Sequence, residues 1–271
     1  MAFFAGVRLW APAGRLVLAL VAVLGTGSIY ASGPSTPLFP KSLHLTRSIE
    51  EPLSGAKSTV DEYYFGNRVI TVRGDRTVIV DYDKRSVTEI DRAKATYSVT
   101  SFDDIANARP HRANPRTVTK TQMPSMERLR SDQRAGRGVD VFSGDDQTTA
   151  LHAEIAVDNS VAFSRDAFDV LIGSAYPNDG GPANDLARGA AKRTAGATEA
   201  YGLPMEQTLR WTAGKATVET RNLVMRVGEE GAPPEMIAIP PGAREVDSRL
   251  LRSKKLGDEI DALTKSPAVR H

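Results

Sequence analysis

The sequence predicts an α+β fold built on one antiparallel sheet. Five short runs of strand-forming residues follow one another between residues 56 and 102. Helical patterns occupy 164–200, and strand patterns return over 205–227. Because only two or three turn residues join the first five runs, no crossover helix fits between them. These runs must therefore form an antiparallel meander.

Turn residues set the limits of the meander strands. Gly66-Asn67 and Gly74-Asp75 are two-residue hairpin signals, because glycine tolerates the positive φ of the first turn position. Three-residue links at 83–85 and 92–94 separate the later strands. The five predicted strands are 56–65, 68–73, 76–82, 86–91 and 95–102.

Helix caps and composition predict the elements that follow the meander. A short helix begins near 101–105, with Ser101 or Asp103 as its cap. Ser164 is the predicted cap of a helix over 164–172, and the alanine-rich run 184–200 suits a second helix. Further strands are expected at 150–157, 205–211 and 216–227, and the proline-rich run 232–242 is expected to be an irregular edge segment.

The first 31 residues are typical of a secretory signal. Arg8 and Arg15 precede an unbroken apolar run of nine residues at 16–24, and small residues follow it up to Ala31. The run is shorter than the roughly 20 apolar residues that a membrane-spanning helix needs. The sequence therefore predicts a cleaved signal peptide and a protein of the periplasm or the exterior. An uncleaved N-terminal signal anchor is the alternative.

The remaining chain is predicted to contain one folded domain. A linker with three prolines occupies 32–47, the domain occupies 48–246, and a charged helix or tail occupies 247–271. Within the domain, 106–148 is predicted to be a flexible basic insertion. Its segment 109–137 holds eight lysines or arginines and two acids, a local charge of +6, and a helical turn is expected at 123–129.

The basic insertion is expected to be exposed, because like charges repel one another and do not pack as a core. If it has a function, that function is weak electrostatic contact with an anionic membrane surface. The residues proposed for this surface are Arg109, Arg112, Arg116, Lys120, Arg128 and Arg130.

The composition offers little for catalysis. The chain has no cysteine, which excludes disulfides, thiol nucleophiles and a cysteine-linked lipid anchor. His152-Ala153-Glu154 matches part of a zinc-deaminase signature, but that site also needs cysteines. The formal net charge of +2 does not suggest nucleic-acid binding. The sequence therefore predicts no catalytic residues, no metal, no cofactor and no enzyme activity.

Two stretches resemble a known group of exported domains. The first combines the motifs at 63–69, 78–91 and 95–103, and the second combines 202–206 with 233–243. Together they are similar to exported domains of unknown function related to the LolA-like lipoprotein carriers. The resemblance implies a strongly curved antiparallel sheet, an unclosed barrel whose open side is covered by a few helices. It also implies a concave apolar face that holds acyl chains.

The predicted function is therefore non-catalytic binding or carriage of an apolar or amphipathic ligand, such as a lipid. Aromatic and branched side chains of the meander are the candidates to line its cavity. These residues are Tyr64, Val78, Val80, Tyr82, Tyr97 and Phe102. Ordinary core packing is the alternative role for them. A structural or sensing module that binds a partner protein in the cell envelope is the alternative function.

Overall fold

The computed structural model describes residues 36–50, 55–108, 125–147, 149–175, 182–195, 198–213 and 216–248. Its strands are β1 Phe39–Glu50, β2 Lys57–Gly66, β3 Arg68–Arg73, β4 Arg76–Asp81, β5 Ser86–Asp91, β6 Thr96–Ser101, β7 Glu127–Arg134, β8 Arg137–Asp146, β9 Leu151–Phe163, β10 Lys192–Ala195, β11 Thr198–Ala213, β12 Ala216–Gly228 and β13 Arg244–Glu245. Its helices are α1 Phe102–Ala108, α2 Arg165–Ala175, α3 Pro182–Ala191 and α4 Pro234–Ile237.

All thirteen strands belong to one sheet, as predicted. The strand order is β13-β6-β5-β4-β3-β2-β1-β12-β11-β9-β8-β7, and β10 pairs with the start of β11. Within the described ranges, β13 pairs parallel with β6, and the other pairings are antiparallel. The sheet is curved and does not close, with β7 and β13 at its two ends. This confirms the α+β prediction of an unclosed antiparallel barrel.

The meander has the predicted strands to within about two residues at each boundary. Gly66 and Gly74 both have φ of +56°, which supports the glycine-based turn prediction. In the longer links the same conformation falls on Arg85 (φ +50°) and Ala95 (φ +47°). Turn chemistry therefore determines where each strand of this region ends.

Strand β1 corrects the predicted linker. Residues 39–47 were expected to be part of an extended tether, but they belong to β1, which pairs with both β2 and β12. Pro40 favoured the prediction of a linker here, because proline rarely occupies an internal strand. Here Pro40 lies at a break in the register between Phe39 and Leu43, where no ladder hydrogen bond from residue 40 to β2 is needed.

The hairpin β7–β8 corrects the prediction of a flexible insertion. Residues 127–146 form two strands, so the predicted disorder and the helical turn at 123–129 are wrong for them. The predicted exposure is right for β7, whose first seven residues are exposed. Oppositely charged side chains on neighbouring strands stabilise the hairpin, and composition alone did not show this pairing. Residues 109–124 lie outside the described part of the chain.

Two helix caps are confirmed. The Asp104 N–H donates to Ser101 Oγ at 3.0 Å at the start of α1, and the Ala167 N–H donates to Ser164 Oγ at 3.2 Å at the start of α2. The predicted helix over 184–200 is wrong beyond residue 191. Residues 192–195 pair with 198–201 instead, because Tyr201 is buried against Phe168 and holds the chain in the sheet. The predicted C-terminal helix or tail at 247–271 lies almost entirely outside the described residues.

Removing the α2 cap is expected to destabilise the protein moderately. Ser164→Ala should lower the free energy of unfolding by about 1 kcal/mol, because one N–H at the helix start loses its acceptor. Ser164→Asp should retain most of the stability, since aspartate caps equally well. Urea denaturation of the two variants checks this, and equal stability of Ser164→Ala and wild type would contradict it.

Candidate binding face of the sheet

Helices α2 and α3 cover one face of the sheet, which we call the inner face. The Gln207 side-chain amide donates to the Ala183 carbonyl oxygen at 3.5 Å, which positions α3 over β11. On the sheet, the inner face presents apolar side chains to the helices, such as Leu203 and Ile155, both 0% exposed. The apolar side chains that the two helices bury are Ala167, Phe168, Val170, Leu171, Ile172, Ala183, Leu186, Ala187, Ala190 and Ala191. In the part of the chain that the structure describes, no helix is long and apolar enough to cross a membrane.

Five of the six predicted cavity residues share the inner face. Tyr64, Val80, Tyr82 and Phe102 belong to the buried core, and Val78 packs partly buried against it. Tyr97 does not join them. It lies opposite Ile90 in the register, so its side chain points to the other face, with its hydroxyl 3.4 Å from Glu245 Oε2. The alternation within β6 explains this, because Thr100 and Phe102 are on the face opposite Tyr97.

The aromatic side chains fill the interior. Tyr64 packs on Phe39 with ring centroids 5.0 Å apart, and Tyr82 meets Phe102 edge-on at 5.8 Å. A cavity of about 230 Å³ includes Val78 and Tyr97 but lies beside residues 244–247. A larger groove of about 520 Å³ lies among polar residues of β7, β8 and β9. That Tyr64, Tyr82 and Phe102 line a ligand cavity therefore stays a prediction. It requires α2 and α3 to move away from the sheet.

A row of buried polar side chains, which was not predicted from the sequence, crosses the inner face. Arg47 on β1 lies opposite Val224 on β12, and Asn222, two residues earlier on β12, lies opposite Gln207 on β11. Asn184, in the first turn of α3, lies next to the Ala183 carbonyl that Gln207 contacts. We call Glu62, Arg47, Asn222, Gln207 and Asn184 the polar row. All five are less than 10% exposed.

The row begins with a buried ion pair. Arg47 Nε donates to Glu62 Oε2 at 2.7 Å, and both side chains are 1% exposed. The Tyr64 hydroxyl donates to the same carboxylate oxygen at 2.8 Å. Burying two charges costs several kcal/mol per ion, so such a pair adds little net stability although losing one partner is costly.

Glu62 Oε1 and Gln207 Oε1 are among the oxygens of the polar row that find no hydrogen-bond donor among the described residues. A buried polar atom without a partner costs about 1–3 kcal/mol. One sequence signal was available. Val60, Glu62 and Tyr64 alternate on one face of β2, so a charged residue between two apolar ones marks a polar position inside the core. Arg47 carried no such signal, because it was assigned to the linker.

The predicted basic surface is partly neutralised. Arg128 pairs with Asp140 at 2.7 Å, and Arg130 pairs with Glu154 at 2.8 Å. The hydrogen bond from Arg128 holds the pKa of Asp140 below its ordinary value. Arg109, Arg112, Arg116 and Lys120 lie outside the described residues, so membrane contact stays a prediction.

No protein-family model matches the chain, and no curated protein matches it in sequence. Solved structures do match. An uncharacterized conserved protein from Thermus thermophilus has a TM-score of 0.40 and 7% identity, over 77% of this chain and 91% of that one. MucB in complex with MucA(peri) has a TM-score of 0.36 and 14% identity, over 75% of this chain and 55% of that one.

A LolA superfamily protein from Nitrosomonas europaea also matches, with a TM-score of 0.25 and 10% identity, over 82% of this chain and 95% of that one. The chain spans just over half of the MucB chain that it matches, at 55%. The group that the sequence was predicted to resemble is thus present among the matching structures. At these identities the likeness concerns the fold alone.

Proposed function

We propose that the protein is an exported, non-catalytic binding or carrier protein for an amphipathic ligand such as a lipid. The ligand's apolar chain would lie on the inner face, between the sheet and the layer of α2 and α3. The polar row is the observation that carries the proposal, because it puts buried hydrogen-bonding groups within an apolar surface. An amphipathic molecule has this same combination of chemistry.

The α3 interface is suited to separation from the sheet. Four alanines and one leucine supply its buried apolar contact: Ala183, Leu186, Ala187, Ala190 and Ala191. Buried apolar area contributes about 25 cal/mol per Å², so an alanine-rich face adheres more weakly than a leucine-rich one. The helix is also short, at ten residues. Separating α3 from the sheet is therefore less costly than opening the rest of the core.

The polar row also favours a ligand. Gln207 Oε1 lies in the interface beneath α3 without a donor among the described residues. A ligand hydroxyl or amide could supply a donor there, and it would offset part of the cost of burying that oxygen.

Native mass spectrometry of protein purified from its own cell envelope tests the proposal. We expect a population carrying the added mass of a lipid or another amphipathic molecule. Apo protein alone, under conditions that retain lipid on a known lipid carrier, would contradict it.

A partner-binding or sensing module is the second candidate. The close packing of Tyr64 on Phe39 and of Phe168 on Tyr201 favours it, because a filled interior leaves the outer surfaces for binding. The same mass spectra distinguish the two functions. A co-purifying protein together with a ligand-free inner face would support the module.

A further inference from the structure

His44 lies on the outer face of β1, between two carboxylates. Its Nε2 is 3.0 Å from Asp61 Oδ1 on β2, and its Nδ1 is 2.9 Å from Glu230 Oε1, two residues beyond the end of β12. The side chain is 6% exposed. Its ring stacks on Tyr63, with centroids 4.1 Å apart and planes inclined by 10°. The imidazole is thus held at both nitrogens and on one face.

This arrangement needs the protonated ring. A carboxylate oxygen only accepts hydrogen bonds, and a neutral imidazole has one N–H and one lone pair. Only the imidazolium donates to Asp61 and Glu230 at once. After deprotonation, one ring nitrogen would direct its lone pair at a carboxylate about 3 Å away, and that contact is repulsive.

Glu230 is the partner expected to leave. Each carboxylate has one further donor, Thr46 Oγ1 for Asp61 and Arg226 for Glu230, and their side chains are 35% and 42% exposed. Asp61, however, is fixed within β2, whereas Glu230 lies beyond the end of β12. Glu230 reaches His44 by folding back over Gly228, which lies directly opposite His44 in the register. A Cβ atom at residue 228 would collide with the Glu230 carboxylate, so an added methyl group would force that carboxylate to shift from its present position.

Glu230 begins a segment that returns across the sheet. We call residues 229–248 the C-terminal strap. Its middle is held by Arg92, whose guanidinium donates to the Met236 carbonyl oxygen at 2.8 Å. Its far end joins β6, where the Arg244 and Val246 N–H groups donate to the carbonyl oxygens of Ala95 and Tyr97. His44 therefore fastens the start of the strap, and β6 fastens its end.

We propose that His44 is a protonation-controlled clasp, closed when the imidazolium bridges Asp61 and Glu230 and open when the ring is neutral. Four titratable or charged groups surround the ring: Asp61 and Tyr63 on β2, Arg226 on β12, and Glu230. Arg226 donates to Glu230 in either state, so it stabilises the carboxylate without closing the clasp.

The pH window follows from the two ends of the clasp. The hydrogen bond from His44 is the largest cause that holds the pKa of Glu230 below its ordinary value. Glu230 therefore contributes fully above the unfolded glutamate pKa of about 4.3, and its contribution is lost as pH falls through its lower folded value. The upper limit is the loss of the ring proton, after which the imidazole can no longer donate to both carboxylates. The clasp is closed at mildly acidic pH and opens as pH rises.

Hydrogen–deuterium exchange of the full chain, corrected for intrinsic rates, tests the clasp. We expect peptides covering 229–236 to be several-fold more protected at about pH 5.5 than at about pH 8. Gly228→Ala should abolish this difference by displacing Glu230, with every charge retained. Gly231→Ala is the matched control, because no heavy atom lies within 4 Å of its added Cβ, and it should keep the difference.

A second variant covers the case in which Gly228→Ala disturbs the fold. Glu230→Gln replaces the carboxylate with an amide that can donate to a neutral ring, so the pH dependence should disappear or reverse. An equal pH ratio in wild type, Gly228→Ala and Glu230→Gln would overturn the proposal. Protection of the strap that increases from pH 5.5 to pH 8 in wild type would overturn it as well.

Discussion

Replacing Arg47 with methionine is expected to lower the free energy of unfolding by about 3–5 kcal/mol. Both members of the Arg47–Glu62 pair are 1% exposed, so the variant leaves a carboxylate buried without its cation. The Tyr64 hydroxyl would remain as a donor to Glu62 Oε2, which is too little to compensate for a lost charge. Urea denaturation followed by circular dichroism measures the loss.

The double variant Arg47→Met with Glu62→Leu is the control for this prediction. Because it removes both charges, it should be more stable than Arg47→Met alone, and it can approach wild type. If the single variant lost less than about 1 kcal/mol, the pair would not be the buried, charged contact described above.

Truncation of Phe168 is the second change with a large expected effect. Phe168 lies on α2 with 0% exposure, and its ring stacks on Tyr201 at a centroid distance of 4.7 Å. Phe168→Ala should cost about 3–5 kcal/mol, because it removes buried contacts and leaves a cavity between α2 and the sheet. This is a large part of the roughly 5–15 kcal/mol by which a typical domain is stable.

Arg165→Ala is the matched control on the same helix. Arg165 is exposed, so its loss should change the free energy of unfolding by no more than about 0.5 kcal/mol. Thermal or urea unfolding of both variants compares the two positions. Similar stabilities for Phe168→Ala and Arg165→Ala would mean that α2 does not close the inner face.

The fold was more predictable than the candidate site. The meander from β2 to β6 was predicted correctly because its strands alternate and its links are short turns, both of which are local features. Strand β1 was missed because it pairs with β2 and with β12, and the second partner is distant in sequence. Pairing of that kind leaves no local pattern.

The hairpin β7–β8 was missed for an electrostatic reason. Composition gave segment 109–137 a charge of +6. Its cations Arg130 and Arg134, however, meet Glu154 and Glu206 on strands β9 and β11, outside that segment. The polar row was also not predicted. Its residues Arg47, Asn222 and Gln207 come from three strands, which lie side by side only in the folded sheet.

Binding of a fluorescent acyl chain to the Gln207→Leu variant tests the central claim most directly, namely that the ligand binds beneath the helical layer. Gln207 is 1% exposed, and its side chain reaches the Ala183 carbonyl at the start of α3, so leucine removes a buried polar group from this interface and keeps an apolar side chain there. We predict that Gln207→Leu binds the acyl chain more weakly than wild type, because the ligand loses its polar contact. Arg165→Ala, on the exposed side of α2, is the control and should bind as wild type does. Equal affinity of Gln207→Leu and wild type would contradict the account.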